Sequence, residues 1–263
     1  MELHQCHALL TGASGGIGFA LADQLASAGA HLLLVARQTE KLEPLTQRFP
    51  GQVQLVRADL TQASGRRDVA DAASRFVGFN CLINAAGINQ FRLLAQQDED
   101  AIAEMMNLNV TAALQLTHRL LPQLQENDNA LVVNVGSTFG SIGYPGFAAY
   151  CASKFALRGF SEALRRELAD SGVRVLYVAP RATRTGMNGR SVVAMNEQLR
   201  VAMDAPHQVA RRILTAIQRE RDELYIGWPE KLFVRINSLF PQLVSQSLHK
   251  QLPIIQRYAR HDS

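Results

Sequence analysis

The sequence predicts an α/β fold, a doubly wound parallel sheet of about seven strands with helices on both faces and a helical C-terminal extension. Three observations carry this expectation. Short apolar runs stand at 7–10 (HALL), 31–36 (HLLLVA), 53–56 (VQLV), 80–83 (NCLI), 131–135 (LVVNV) and 173–179 (VRVLYVA). Several are apolar at consecutive positions, as expected of strands covered on both sides. The segments between them have helical period, and strand–helix–strand units in series imply parallel strands joined by right-handed crossovers.

The elements follow in order. Ile17, Ala20, Leu21, Leu25 and Ala28 recur at helical spacings after the first strand, and Gly29 is placed to stop that helix. Phe155, Phe160, Leu164 and Leu168 make a similar stripe, with Gly172 as its expected end. A weaker seventh strand is expected at 223–226 (ELYI). No low-complexity linker or fixed-period repeat interrupts the chain, so residues 1–227 read as one sheet domain and 228–263 as an extension of it. In that extension Leu232, Ile236, Leu239, Phe240, Leu243 and Leu248 fall at near-helical intervals, interrupted by Pro241. Lys231, Arg235, Lys250, Arg257 and Arg260 take other positions. Two or more amphipathic helices are expected, their apolar faces packed on the body or on another subunit. The sharper alternative is a substrate lid or a contact with an anionic membrane surface.

Composition bounds the function. With 263 residues, 47% hydrophobic and 19% charged, the chain has the balance of a globular protein. The formal charge of +4 is small, and the basic residues are scattered with few aromatics among them, which speaks against nucleic-acid binding. Cys6, Cys81 and Cys151 are odd in number and far apart, the usage of free thiols in a reducing compartment. There is no cationic region followed by an apolar stretch at the start and no apolar run near the ~20 residues of a bilayer span. A cytoplasmic protein is expected. No H-x-x-x-H or Cys/His cluster suggests a metal.

The turn after the first strand, TGASGGIG at 11–18, contains two incompatible motifs. Gly12-Ala13-Ser14-Gly15-Gly16 fits G-x-S-x-G, the turn that presents a serine nucleophile. Gly12, Gly16 and Gly18 also fit a turn that seats a dinucleotide pyrophosphate on a helix N-terminus. A nucleophile elbow needs an oxyanion-hole loop upstream in the chain, and nothing precedes the first strand to supply one. It also needs a base histidine, whereas His118 and His207 lack an evident acid partner and read as surface residues. The phosphate seat is favoured, with Ser14 and Ile17 beside it. A serine hydrolase using Ser14 is the disfavoured alternative.

Three further segments join the turn. Asn84-Ala85-Ala86-Gly87 follows the fourth strand, Ser137 ends the fifth, and Tyr150-Cys151-Ala152-Ser153-Lys154 opens the next helix. With T-G-x-x-x-G-x-G this set resembles the short-chain dehydrogenase/reductase family, from about residue 7 to 187. Tyr and Lys stand four apart, with Ser thirteen before the Tyr. The resemblance implies a Rossmann fold and an oxidoreductase in which Tyr150 exchanges a proton with a carbonyl or alcohol oxygen. Lys154 tunes the tyrosine and holds the nicotinamide ribose, Ser137 positions the substrate oxygen, and Asn109 supports a proton relay. The chemistry agrees: Tyr150 and Lys154 share a helix face, and an ammonium lowers the pKa of a nearby phenol. Asn107 is the register alternative to Asn109, and a buried helix asparagine can instead be structural. Asn84 would link neighbouring strands as well as adjoin the cofactor. Cys151 reads as packing.

Cofactor choice is expected at the end of the second strand. An acid there would accept the ribose hydroxyls, but Leu34-Val35-Ala36-Arg37 has none, and Arg37 can pair with a 2′-phosphate. NADP(H) is therefore preferred over NAD(H). Asp59-Leu60 matches the family's adenine contact, although Asp59 also fits a turn residue. After the sixth strand, Pro180 and Thr185 agree with the family and Thr183 joins them at the cofactor, but Arg181 replaces the usual glycine. Arg181 could hold an anionic group or simply be exposed. Residues 186–206 are expected to cover the substrate, and Val192, Val193 and Met195 suggest a hydrophobic one. The family usually forms homodimers or homotetramers. A rival from another class is a regulatory protein that binds NADP(H) without turnover.

Overall fold

The computed structural model describes residues 1–260. Among them β1 (His7–Thr11), β2 (His31–Ala36), β3 (Val53–Arg57), β4 (Cys81–Asn84), β5 (Ala130–Val135), β6 (Val173–Ala179) and β7 (Glu223–Tyr225) form one sheet. Its order is β3-β2-β1-β4-β5-β6-β7, and every adjacent pair is parallel. The sequence runs match these strands to within a residue. The winding reverses between β1 and β4, and at such a switch point a crevice opens at the carboxyl ends of the strands.

The helices are α1 (Gly16–Ser27), α2 (Glu43–Arg48), α3 (Ala63–Ser74), α4 (Glu99–Met106), α5 (Ala112–Gln125), α6 (Ala148–Glu167), α7 (Arg190–Gln198), α8 (Pro206–Gln218), α9 (Glu230–Leu239) and α10 (Pro241–Arg260). A π-helical turn, Asn107–Thr111, joins α4 to α5. The consecutive apolar residues of the strands divide between two cores, since successive side chains point to opposite faces. Leu10, Leu34 and Ile83 meet α1 and α8, where Leu25 and Ile213 are fully buried. Leu9, Leu33 and Leu82 meet α3, α5 and α6 through Val69, Leu116 and Leu164. A third cluster, including Phe91, Phe147, Met195 and Ile255, ties α6, α7 and α10 together. The three cysteines are free and buried.

Two helix expectations are corrected. In α6 the buried row is Leu157, Ser161 and Leu164, while Phe155 is 43% exposed. Spacings of four and three define the buried row, and Phe155 lies off it. Gly172 does not stop α6, which ends at Glu167 with Leu168 as its cap. Gly172 instead lies where a Cβ would press on the Asn127 carbonyl, at 2.6 Å. The extension does form two helices, broken at Phe240-Pro241. However, Val234, Val244, Ile255 and Ala259 make its buried contacts, leaving Leu232, Leu239, Phe240 and Leu243 exposed.

Candidate active site

A cleft of about 1240 Å³ opens along the carboxyl ends of the strands. One part is shaped by glycine. Gly12 has a φ of +66°, and a Cβ there would stand 2.7 Å from the Ala86 backbone. A Cβ on Gly18 would overlap the Gly12 carbonyl, so α1 starts this close to β1 only because both residues lack side chains. A Cβ on Gly16 would meet Thr185 Cγ2 at 2.6 Å. Thr11 Oγ1 accepts from the amides of Ala85 and Ala86, at 3.1 and 3.2 Å, and so holds the β4 turn beside the glycine turn. Gly12, Ser14, Gly16, Ile17 and Gly18 line the cleft with Ala85, Ala86 and Gly87. Backbone close to a helix N-terminus, with no side chain to obstruct it, fits an extended diphosphate.

Arg37, Asp59 and Leu60 line the same cleft. Asp59 Oδ1 accepts from the amide and the hydroxyl of Thr61, at 3.0 and 2.8 Å, so the turn role and the cleft position coexist. Lys41 and Arg57 also line the cleft and were not singled out in the sequence. The signal for Arg57 was its register, since it pairs with Ala36, next to Arg37, across β2 and β3.

Farther along, the cleft gathers Ser137, Tyr150 and Lys154 with Pro180, Thr183 and Thr185. Ser137 caps a short 3-10 turn, its Oγ accepting from the Phe139 amide at 3.1 Å. Tyr150 is buried, and that desolvation pushes its phenol up to about 12, opposed by a hydrogen bond with Ser137. Lys154 is also buried; desolvation brings its ammonium down to about 8. Its Nζ donates to the Val135 carbonyl at 3.1 Å and lies 5.6 Å from the centre of the Tyr150 ring. Phe139 and Phe147 pack edge-on to that ring, at 6.4 and 6.1 Å.

Behind Ser137 stands Tyr177, a residue passed over in the sequence. Its hydroxyl donates to the Ser137 carbonyl at 3.2 Å. A Cβ on Gly136 would overlap its ring, and one on Gly140 would lie 2.5 Å from its hydroxyl. An aromatic in an aliphatic strand, matched to glycines on the neighbouring strand exit, was the available signal.

Two expected site residues do not reach the cleft. Asn84 Nδ2 donates to Asn134 Oδ1 at 2.9 Å and to Thr117 Oγ1 at 3.1 Å, joining β4 to β5 and α5. Its side chain is consumed by architecture. Asn109 sits in the π-helical turn, exchanging hydrogen bonds with the backbone of Ile88 at 2.8 and 2.9 Å and donating to Ser153 Oγ at 3.0 Å. It fixes the chain just past Gly87 and stands behind the cleft wall. Asn107 donates to the Thr61 carbonyl instead.

Arg181 fits neither sequence expectation, being neither a cleft cation waiting for an anion nor a solvated surface group. It forks onto Asp204, Nη2 to Oδ1 at 2.8 Å and Nε to Oδ2 at 3.0 Å, and reaches Glu230 at 3.2 Å. Its side chain is 15% exposed and that of Asp204 12%. The cation ties the β6 turn to the far end of the 186–206 segment and to the start of α9. That segment contains α7, and Val192, Met195 and Val201 line the cleft, as do Phe233, Val244 and Leu248 from the extension. Val193 is not among the lining residues. No histidine lies among the described lining residues, so Ser14 has no base beside it there. His118 and His207 are exposed.

Comparison with known proteins agrees with this geometry. The family model described as short chain dehydrogenase matches residues 6–196. Nodulation protein G of Rhizobium meliloti (strain 1021) is 37% identical over 210 residues, covering 77% of this chain and 83% of that protein. The 3-oxoacyl-[acyl-carrier-protein] reductase FabG of Vibrio cholerae is 32% identical over 203 residues, 77% of this chain and 82% of the relative. A crystal structure of a short chain dehydrogenase from Burkholderia cenocepacia in complex with NADP superposes with a TM-score of 0.81 at 28% identity, covering 94% of this chain and 99% of that one. A glycine turn with room for a diphosphate, a buried Ser–Tyr–Lys set in the same cleft and these likenesses lead to one conclusion: the chain belongs to the short-chain dehydrogenase/reductase family of oxidoreductases.

Proposed function

We propose that this protein is an NADP(H)-dependent oxidoreductase acting between a carbonyl and a secondary alcohol on a hydrophobic substrate. The observation that carries the reading is the placement of Ser137, Tyr150 and Lys154 in one cleft with the glycine turn. Bound nicotinamide would supply or accept the hydride. The chain's own part is the proton. Tyr150 donates it to the carbonyl oxygen on reduction and takes it back on oxidation, and Ser137 holds that oxygen by hydrogen bonding. The buried Lys154 ammonium stabilises the phenolate left behind, because opposite charges attract strongly away from water.

The cofactor seat is assigned to the glycine turn with Ser14 and Ile17, to Asp59 and Leu60, to Ala85, Ala86 and Gly87, and to Pro180, Thr183 and Thr185. Asn84 and Asn109 act from behind the wall as supports. Preference for the 2′-phosphate rests on Arg37, joined by Lys41 and Arg57, with no carboxylate at the end of β2. The apolar lining from Phe139, Phe147, Val192, Met195, Phe233 and Leu248 favours a hydrophobic carbonyl compound. Association of copies through α6 belongs to the same reading and is supported by the exposed Phe155. Three buried free thiols suit a cytoplasmic setting.

The test follows NADPH oxidation across a panel of aliphatic, aromatic and steroid-like ketones, comparing wild type with Tyr150→Phe. Turnover that the variant loses supports the mechanism. Equal rates in both would overturn it, and NADPH binding without any turnover would assign a regulatory role.

A further inference from the structure

The α9–α10 corner carries an exposed apolar face with a one-sided charge. Within α9, Leu232, Arg235 and Leu239 recur at spacings of three and four and share one side of the helix. Trp228 precedes them by one further turn. Trp228 is 71% exposed, Leu239 72%, Phe240 60% and Leu243 58%, an amount of outward apolar surface that isolated exposed leucines do not produce. From 231 to 260 the chain has Lys231, Arg235, Lys250, Arg257 and Arg260 and no Asp or Glu. All five cations are exposed. Glu230, the last acid before this stretch, is already paired with Arg181.

We propose that this corner docks on an anionic lipid bilayer, with α9 lying along the surface. The apolar residues enter the headgroup boundary, while Arg235 within that face and Lys231 beside it reach back to the lipid phosphates. The charge pattern speaks against a second copy as the occupant. A two-fold contact would set this face on itself and bring Lys231 and Arg235 against their own counterparts, with no Asp or Glu in 231–260 to offset them. No described helix is long and apolar enough to cross a membrane, so the contact is peripheral. The cleft opens beside the same face: Phe233, next to Leu232 on α9, lines it and is 43% exposed, and Met187 lines it at 41%. A lipid-dissolved carbonyl compound would thus enter without crossing water. That last step rests on the proposed reductase activity; the lipid contact does not.

The experiment is flotation of the full chain with vesicles of a zwitterionic lipid alone or mixed with an anionic one, at low and high salt. Wild type should float with the anionic vesicles, and salt should weaken binding. Leu239→Ser/Phe240→Ser/Leu243→Ser should lower binding at least about tenfold, and Lys231→Glu/Arg235→Glu should act similarly. Circular dichroism and urea midpoints identify variants that remain folded, which surface substitutions should. No flotation of wild type, or equal flotation of folded variants, overturns the proposal. So does a wild-type dimer in sedimentation that the triple substitution dissolves, which would give the face to a second copy. Because turnover is never read, a failed reductase assay leaves this result standing.

Discussion

The two ends of the cleft are built by opposite means. At the glycine turn, backbone meets backbone, and Gly12 and Gly18 stand where any side chain would collide with the chain itself. At the other end, side chains from α7, α9 and α10 meet across long sequence separations and leave apolar residues facing outward. The first surface admits almost no substitution and serves a ligand of fixed shape. The second is defined only by size and polarity, so it is free to vary with the substrate. Tyr150 and Lys154 lie between them on α6, where both would be reached by a ligand spanning the cleft.

Four substitutions would sharpen or break this division. Tyr150→Phe should have the largest effect, lowering the rate about 10²- to 10⁴-fold as expected for loss of a proton donor, with cofactor affinity retained. Burial holds the phenol near 12 in the free protein, so reduction, which uses the protonated form, should persist across neutral pH. Oxidation, which needs the phenolate, should speed up as pH rises, and stopped-flow traces in both directions would check it. Arg37→Glu should raise the NADPH KM about 10- to 100-fold while leaving the NADH KM little changed, the size expected for charge-assisted hydrogen bonds to one phosphate. An equal loss with both cofactors would place Arg37 outside the phosphate seat.

Lys154→Met should lower turnover by less than Tyr150→Phe does, yet stabilise the free protein. Burial lowers the ammonium to about 8 from an ordinary 10.5. Between those values the unfolded chain holds more protons than the folded one, so stability rises with pH through that window. The variant removes the penalty, gaining up to about 3 kcal/mol near neutral pH and nothing above the window. Urea titrations at several pH values give the comparison. Arg181→Met should have the smallest effect, about 1–3 kcal/mol of destabilisation from the Asp204 charge left without its partner. It should raise the KM for substrate more than that for cofactor, because the ties it cuts run to the 186–206 segment and α9.

Most of the sheet was legible in the sequence because strands buried on both faces are apolar at several consecutive positions, a pattern that needs no neighbour to interpret. The glycine turn and the Tyr–Lys pair were legible for a similar reason: close backbone approach and an i, i+4 helix face are local constraints. Phe155 was misread because a helical stripe shows period but not which phase of it meets the core. Asn84 was placed beside the cofactor as well as between strands, and Asn109 in a proton relay or a structural role, because a polar residue near a motif gives no sign of what occupies its hydrogen-bonding capacity. Lys41, Arg57 and Tyr177 were missed because each matters only through a partner from another strand or turn.

The sequence by itself therefore determined the layered sheet, the strand boundaries, the glycine-lined turn and the spacing of Ser137, Tyr150 and Lys154. Each depends on interactions within a few residues or on a simple burial period. The tertiary structure decided what Arg181 does, which asparagines face inward, and which face of the C-terminal helices stays outside. Those outcomes depend on where distant segments meet. An arginine reads alike whether water surrounds it or two carboxylates, one 23 and one 49 residues along the chain, close around it; only the fold brings them within hydrogen-bonding distance.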